Sequence, residues 1–470
     1  MTAPAGPRAG PRERVKERIM GTQALRGAAI SFEADPFLAA PGTAPGTAPG
    51  TALRHWTDAL IVLEAGRIRS VGDWSAAAAA ALAAEGVPVT HHRDALICPG
   101  FIDAHVHYPQ LPMIGAHGEQ LLGWLERHTF PTEAAFADPA HAARVAEAFL
   151  DALLAAGTTT AAVYCTVHPQ SVEAFFAASE RRGTRMIAGK VLMDRNAPEA
   201  LRDTAEGGVA DSAALLARWH GRGRQLYAVT PRFAPTSSPA QLAAAGRLWQ
   251  AHPGTYMQTH IAESPAEVAW VRELFPEAAD YLDVYRQAGL TGPRAILGHG
   301  IHLSEAEFCH CHRSGTALAH CPTSNTFLGS GLFRAFEARR PARPVRLGLG
   351  TDIGAGTSPC QLRSMGEAYK VARLGGHDLT ALQAFYLATR GGAEALYLED
   401  RIGSLAPGME ADLVVLDLKA TPLLDFRLGF CDGIEEVLFV LMTLGDERLV
   451  RATYVSGTLV SGTLAAGGAG

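Results

Sequence analysis

Four histidines and two carboxylates stand where apolar runs of the chain come to an end. His105-Val106-His107 closes ICPGFIDAHVH (97–107), and His260 ends YMQTHIAE (256–263), with Glu263 three residues on. His299 closes the apolar part of RAILGHGI (294–301), and Asp352 closes VRLGLGTD (345–352). Alternate residues of a strand point to one face, so His105 and His107 can reach the same ion. An HxH alone is a weak signal, because such short repeats also occur on surfaces. The other residues strengthen it: a His or Asp buried at a strand end costs several kcal/mol unless it is paired or metal-bound. A divalent ion with an open position lowers the pKa of its bound water from ~15.7 toward ~7. The resulting hydroxide can attack an electrophilic carbon, and a nearby carboxylate can move the protons that such an attack requires. A His/Asp donor set suits zinc, with iron chemically possible.

These residues need elements that converge at one point. Eight short apolar runs rich in β-formers lie at 97–107, 158–166, 185–193, 226–233, 256–263, 294–301, 316–322 and 345–352. Ala/Leu-rich helical stretches separate most of them, including 140–156, 238–250, 265–275 and 303–314. Repeated strand–helix units predict a parallel sheet, and eight of them predict an α/β fold of the (β/α)8 TIM-barrel type. In such a barrel the carboxyl ends of the strands meet at one mouth, which would gather His105, His107, His260, His299 and Asp352.

The rest of the chain frames that barrel. Residues 1–20 read as a disordered Pro/Gly/Arg-rich extension, and APGTAPGTAPGTA (40–52) as a flexible low-complexity insert. LRHWTDALIVLEAGRIRSVGD (53–73) alternates around a Gly turn and predicts a hairpin. Short strands return after about 400, in GSLAPGMEADLVVLDL and RATYVSGTLV. The expected organisation is a barrel over 96–399 beside a small β-sandwich-like unit built from both chain ends, 21–95 and 400–470. Of the 470 residues 48% are apolar, enough for a large core, and the net charge of −6 is spread without a basic patch. That excludes a nucleic-acid or anionic-membrane footprint. Seven scattered cysteines read as reduced thiols of a cytoplasmic protein rather than a disulfide framework. No secretory h-region and no run of ~18 apolar residues is present, so no membrane segment is expected.

Several of these strings resemble one family. HVH after PGFIDA, then HIAE, GHG, TD after LGLG and the closing GSLAPGMEADLVVLD are similar to the amidohydrolase superfamily, over nearly the whole chain from about residue 55. The resemblance implies that His105, His107, His260 and Asp352 bind the metal. It also implies that His299 contacts the metal-bound water or the substrate. Two-metal members often carry a carboxylated Lys at the end of strand four. Here that strand ends in Thr230-Pro231-Arg232, which favours one Zn2+ per subunit. Deaminases of the superfamily use the Glu of HIAE, here Glu263, as proton shuttle to the ring nitrogen, with Asp352 accepting the proton of the metal-bound water.

The loop YPQLPMIGAHGEQLLGWLERHTFPTE (108–133), with GKVLMD (189–194), PRFAPT (231–236) and QTHIAES (258–264), resembles the guanine deaminases in particular. By that resemblance Gln110 and Arg232 hydrogen-bond the polar edge of a purine, including O6, and Phe233 packs on its ring. Attack falls at C2, with Glu263 serving N3, giving xanthine and ammonia. Trp124 is expected either to line the pocket or to fill the core. A homodimer is expected on the same ground. The alternatives are a related deaminase acting on 8-oxoguanine, a thio-nucleoside or a chloro-triazine, and a non-catalytic scaffold of the same fold. The scaffold is disfavoured because every expected ligand is present. A cytidine-deaminase-type zinc pattern is absent, since the chain lacks PCxxC.

Three further clusters carry no expected chemistry. Cys309-His310-Cys311-His312 lies in a helical stretch, where CxC points to different faces. His91-His92 reads as a solvated turn. Lys190 is expected to line the mouth or pair with a carboxylate.

Overall fold

A computed structural model describes residues 21–38, 52–118 and 120–462. The expected extension (1–20) and most of the low-complexity insert lie outside these residues.

The eight apolar runs form eight parallel barrel strands: Phe101–His107, Thr158–Tyr164, Arg185–Gly189, Leu226–Pro231, Tyr256–Ile261, Ala295–His299, Ala317–His320 and Leu347–Leu349. A two-residue strand, Val191–Leu192, pairs beside the fourth. The ladder runs in chain order from the first strand to the eighth. Hydrogen bonds at the strand ends close it. Asp352 N–H donates to the His105 carbonyl at 2.9 Å, and His107 N–H donates to the Ile353 carbonyl at 3.1 Å. Buried Asp103 reinforces this seam, accepting the N–H groups of Thr351 at 3.0 Å and His105 at 3.2 Å.

Helices between the strands start where the sequence offers caps. Pro139–Ala155, Pro239–Ala251, Pro265–Leu274 and Glu305–Ser314 follow the N-caps Asp138, Ser238, Ser264 and Ser304. The last two carry capping boxes with Glu267 and Glu307, so the first orphan N–H groups of each helix are satisfied locally. Each apolar face packs onto the barrel in one continuous core.

Both chain ends build a separate seven-stranded sheet. Its spatial order is Thr458–Gly462, Val450–Val455, Leu413–Asp417, Val89–Pro99, Gln23–Phe32, Leu53–Glu64 and Arg67–Asp73. The expected hairpin is there: Leu53–Glu64 and Arg67–Asp73 pair antiparallel across Ala65-Gly66, both at positive φ, as a right-twisted two-residue turn requires. The described residues contain no helix long and apolar enough to cross a membrane.

Three sequence expectations are corrected. Residues 97–99 end a strand of the terminal sheet, and the first barrel strand begins at Phe101. Gly100 separates the two because a Cβ there would fall 2.3 Å from Thr159 Oγ1. The region after 400 is not strands throughout. Pro422–Leu428 and Ile434–Leu444 are helices whose Leu424, Leu438, Leu441 and Met442 join the barrel core. His91-His92 is not a solvated turn either: both lie on strand Val89–Pro99, where alternation buries His92 against Tyr454 Oη at 3.1 Å.

Sheet and barrel are tied by a buried ion network. Arg185, at the start of the third barrel strand, donates Nε–H to Glu410 at 2.8 Å. Arg224 reaches Glu410 at 2.5 Å and Asp412 at 3.1 Å. Removing one partner of such a network strands a buried charge, at a cost of about 3–5 kcal/mol. Glu410→Ala is therefore expected to lower the apparent thermal midpoint by at least about 3 °C with activity per folded molecule retained. An unchanged midpoint in differential scanning calorimetry would show that the network does not hold the two parts together.

Candidate active site

The carboxyl ends of the barrel strands gather the polar residues in one buried place. His105 and His107 come from the first strand, His260 from the fifth, His299 from the sixth, and Asp352 follows the eighth. The ligand atoms of His105, His107 and His260 lie within 4.8 Å of one another, as do those of His105, His299, Cys321 and Asp352. His107 Nε2 and His260 Nε2 face each other at 3.0 Å. Asp352 Oδ1 lies 3.4 Å from His105 Nε2 and 3.5 Å from His107 Nε2.

The protein leaves these ring nitrogens available. His105 Nε2 has no hydrogen-bond partner although it is buried. His260 Nδ1–H donates to the Arg232 carbonyl at 2.6 Å, which sets the tautomer and leaves the Nε2 lone pair free. Burial holds the imidazoles of His107 and His260 well below the usual histidine range, with neighbouring His105 adding to the effect. Neutral imidazole is the form that binds metal. Burial works to raise the Asp352 carboxyl, but the adjacent His105 ring and the charge of His299 outweigh it and bring it to about 2. Converging neutral imidazoles, an ionised carboxylate and an orphaned buried nitrogen fit one divalent ion.

Glu263 and His299 flank this set. Glu263 lies two residues past the fifth strand and is 3% exposed. Its Oε2 stands 3.4 Å from His299 Nε2, and its Oε1 accepts Ser330 Oγ–H at 3.3 Å. Burial pushes the Glu263 carboxyl up to about 7 against the lowering effect of His299. His299 Nδ1–H donates to Asn325 Oδ1 at 2.9 Å, which turns Nε2 toward Glu263 and toward Asp352 at 3.8 Å. Burial lowers the His299 imidazole, but the charges of Glu263 and Asp352 more than reverse this, and its pKa is raised.

A pocket opens over these groups. His107, Gln110, Trp124, Arg232, Phe233 and His260 line it, together with Glu263, His299 and Asp352. Every site residue expected from the sequence except His105 faces this pocket, and His105 lies beneath it among the ligand atoms. Trp124 is both pocket wall and buried core.

The pattern of the amidohydrolase family matches residues 96–460. Guanine deaminase of Escherichia coli (strain K12) is 49% identical over 406 residues, 86% of this chain and 92% of the relative. The chain belongs to the amidohydrolase family, among its guanine deaminases. The crystal structure of guanine deaminase from Bradyrhizobium japonicum superimposes with a TM-score of 0.88 at 38% identity, covering 94% of this chain and all of the other. Guanine deaminase from C. acetobutylicum, solved with bound guanine in the active site, gives 0.82 at 26% identity, over 94% of this chain and 100% of the other.

Within this guanine deaminase framework the structure adds residues that sequence reasoning missed. Asn325, on the short helix Pro322–Phe327 after the seventh strand, and Ser330 just beyond it contact His299 and Glu263, and nothing local in CPTSN or GSG marks them. Glu133 ends the stretch TFPTE, whose resemblance was noted without a role for this residue. Glycines make room for the first histidine: a Cβ on Gly298 would lie 2.5 Å from His105 Cε1, and one on Gly350 2.9 Å from His105 Cβ. His299, Asp352 and Ala262 adopt left-handed backbone (φ 70°, 51° and 48°), a conformation that costs roughly 1–2 kcal/mol for a non-glycine residue.

The clusters set aside from sequence have other partners. Cys309 turns to Glu305, His310 to Thr291 and His312 to the Pro344 carbonyl, while Cys311 is buried. Lys190 is buried and pairs with Asp203 at 2.5 Å. Gly298→Ala is expected to push the His105 ring out of place and weaken metal retention about 10–100-fold while the protein stays folded. Chelator competition followed by metal analysis measures this, and native retention would show that the glycine is not needed for His105.

Proposed function

We propose that this chain deaminates guanine hydrolytically: water adds at C2, the exocyclic amine leaves as ammonia, and xanthine is released. One observation carries the reading. Two hydrogen-bond donors, Gln110 and Arg232, line one pocket with His107, His260, Asp352 and Glu263, above buried His105, in a chain of this family. His105, His107, His260 and Asp352 would hold one zinc ion, which supplies hydroxide at neutral pH when bound.

The chain's own groups account for the remaining steps. Arg232 and Gln110 donate toward O6 of the purine, an edge where adenine offers an amine instead, so a site built this way rejects adenine. Phe233 packs on the ring face. Glu263 delivers a proton to N3 as the oxygen adds at C2. Asp352 takes up the proton that the adding oxygen releases and passes it to the amine as the C2–N bond breaks, so that ammonia leaves and C2 becomes a carbonyl. His299 Nε2, between Glu263 and Asp352, steadies that oxygen by hydrogen bonding. The burial of all these side chains keeps bulk water from the addition state.

The same reading makes the working enzyme a cytoplasmic homodimer. Seven free cysteines fit a reducing compartment. Leu423 and Phe426 on the helix Pro422–Leu428, and Phe430 just after it, are largely exposed, an apolar cluster suited to cover by a second copy. Light scattering on purified protein should give twice the mass of one chain, and a single-chain mass at micromolar concentration would overturn the dimer.

Zinc-loaded protein should convert guanine to xanthine and ammonia, and leave adenine and cytosine untouched. Silence on guanine beside turnover of 8-oxoguanine would move the substrate. Glu263→Gln is expected to keep its metal and lose about 10²–10⁴-fold in kcat. Turnover near the native rate would remove Glu263 from the proton transfers.

A further inference from the structure

Glu133 lies on the short helix Phe130–Ala134 and exposes none of its surface. Its carboxylate stands between the two residues that face the purine edge. Oε1 accepts Gln110 Nε2–H at 3.0 Å, and Oε2 accepts Arg232 Nη1–H at 2.6 Å. On its other side Gln110 Oε1 accepts the Gly354 N–H at 3.2 Å. These contacts allow one orientation of the amide. Flipping it would set oxygen against the carboxylate and an NH2 group against an N–H. Gln110 therefore presents its remaining N–H, not its oxygen, to the pocket. Arg232, stacked near Phe130 (5.7 Å to the ring centroid), is likewise held with its unused N–H groups inward.

Charge leads to a second consequence. A buried guanidinium without a counterion would attract an anion into the pocket. Glu133 supplies that counterion from within the protein, so a neutral ligand can accept from Arg232 without leaving a charge uncompensated. Xanthine is more acidic than guanine and carries negative charge under mildly alkaline conditions.

We propose that Glu133 is a positioning and specificity-determining residue. It fixes Gln110 and Arg232 as donors and cancels the guanidinium charge, so the pocket favours a neutral carbonyl-bearing purine over the anionic product. This rests on the guanine reading above. The test compares zinc-loaded wild type and Glu133→Gln at a pH where xanthine is anionic, measuring KM for guanine and the inhibition constant of xanthine. Loss of the counterion should lower the ratio of the xanthine constant to KM by about tenfold or more. A merely structural role would weaken both ligands alike, so a ratio unchanged or raised overturns the proposal. If Glu133→Gln does not fold, Glu133→Gln with Arg232→Gln decides. Recovery of folded, zinc-binding protein supports charge cancellation, and continued failure overturns it. Wild-type protein that turns over no guanine overturns both this proposal and the reading beneath it.

Discussion

Two backbone hydrogen bonds across the barrel seam, Asp352 to His105 and His107 to Ile353, set the register of the first and last strands at the point where the ligands lie. Asp103, two residues before His105, ties the first strand to Thr351. This register brings a carboxylate from residue 352 within 3.5 Å of imidazoles from residues 105 and 107. A one-residue slip would turn every side chain of a strand to the opposite face. The ligand set thus depends on barrel closure, and closure depends on a core of β-branched and aliphatic residues that gives eight strands a common interior.

Around the ligands the protein uses backbone where a side chain would be less rigid. The Arg232 carbonyl selects the His260 tautomer, while the Arg232 guanidinium pairs with Glu133. One residue thereby links the histidine cluster to the Glu133–Gln110 side chains. Gly298 and Gly350 give His105 its place because any Cβ there would collide with it. The left-handed backbone at His299 and Asp352 turns each chain sharply at the strand end. Such conformations persist where the surrounding structure over-determines them, here through the closed seam and the Asn325 contact.

The terminal sheet supports this arrangement from outside. Arg185 and Arg224, both near starts of barrel strands, are held by Glu410 and Asp412 next to the sheet. The network braces the amino-terminal side of the barrel, opposite the mouth. Stability is concentrated on one side and chemistry on the other, as the alternation of this fold allows.

Much of this was legible in the chain itself. Alternating apolar runs and capped helices specified the barrel, because strand and helix periodicities are local properties. HxH and the polar residues ending apolar runs marked the residues that the barrel mouth gathers, because a charge at a buried strand end demands a partner. Other features were not legible. That residues 97–99 belong to one sheet and 101–107 to another turns on Gly100 meeting Thr159, a contact across 59 residues of chain. Helices 422–428 and 434–444 hide between strand-like strings, and only the barrel surface they cover explains them. Glu133, Asn325 and Ser330 carry no local pattern, since their roles exist only through partners up to 99 residues away. The sequence by itself determined the repeating strands and helices of the barrel and the kinds of chemistry available. The tertiary structure alone decided which carboxylate holds which donor, because hydrogen-bond geometry is set by where separate strands end in space.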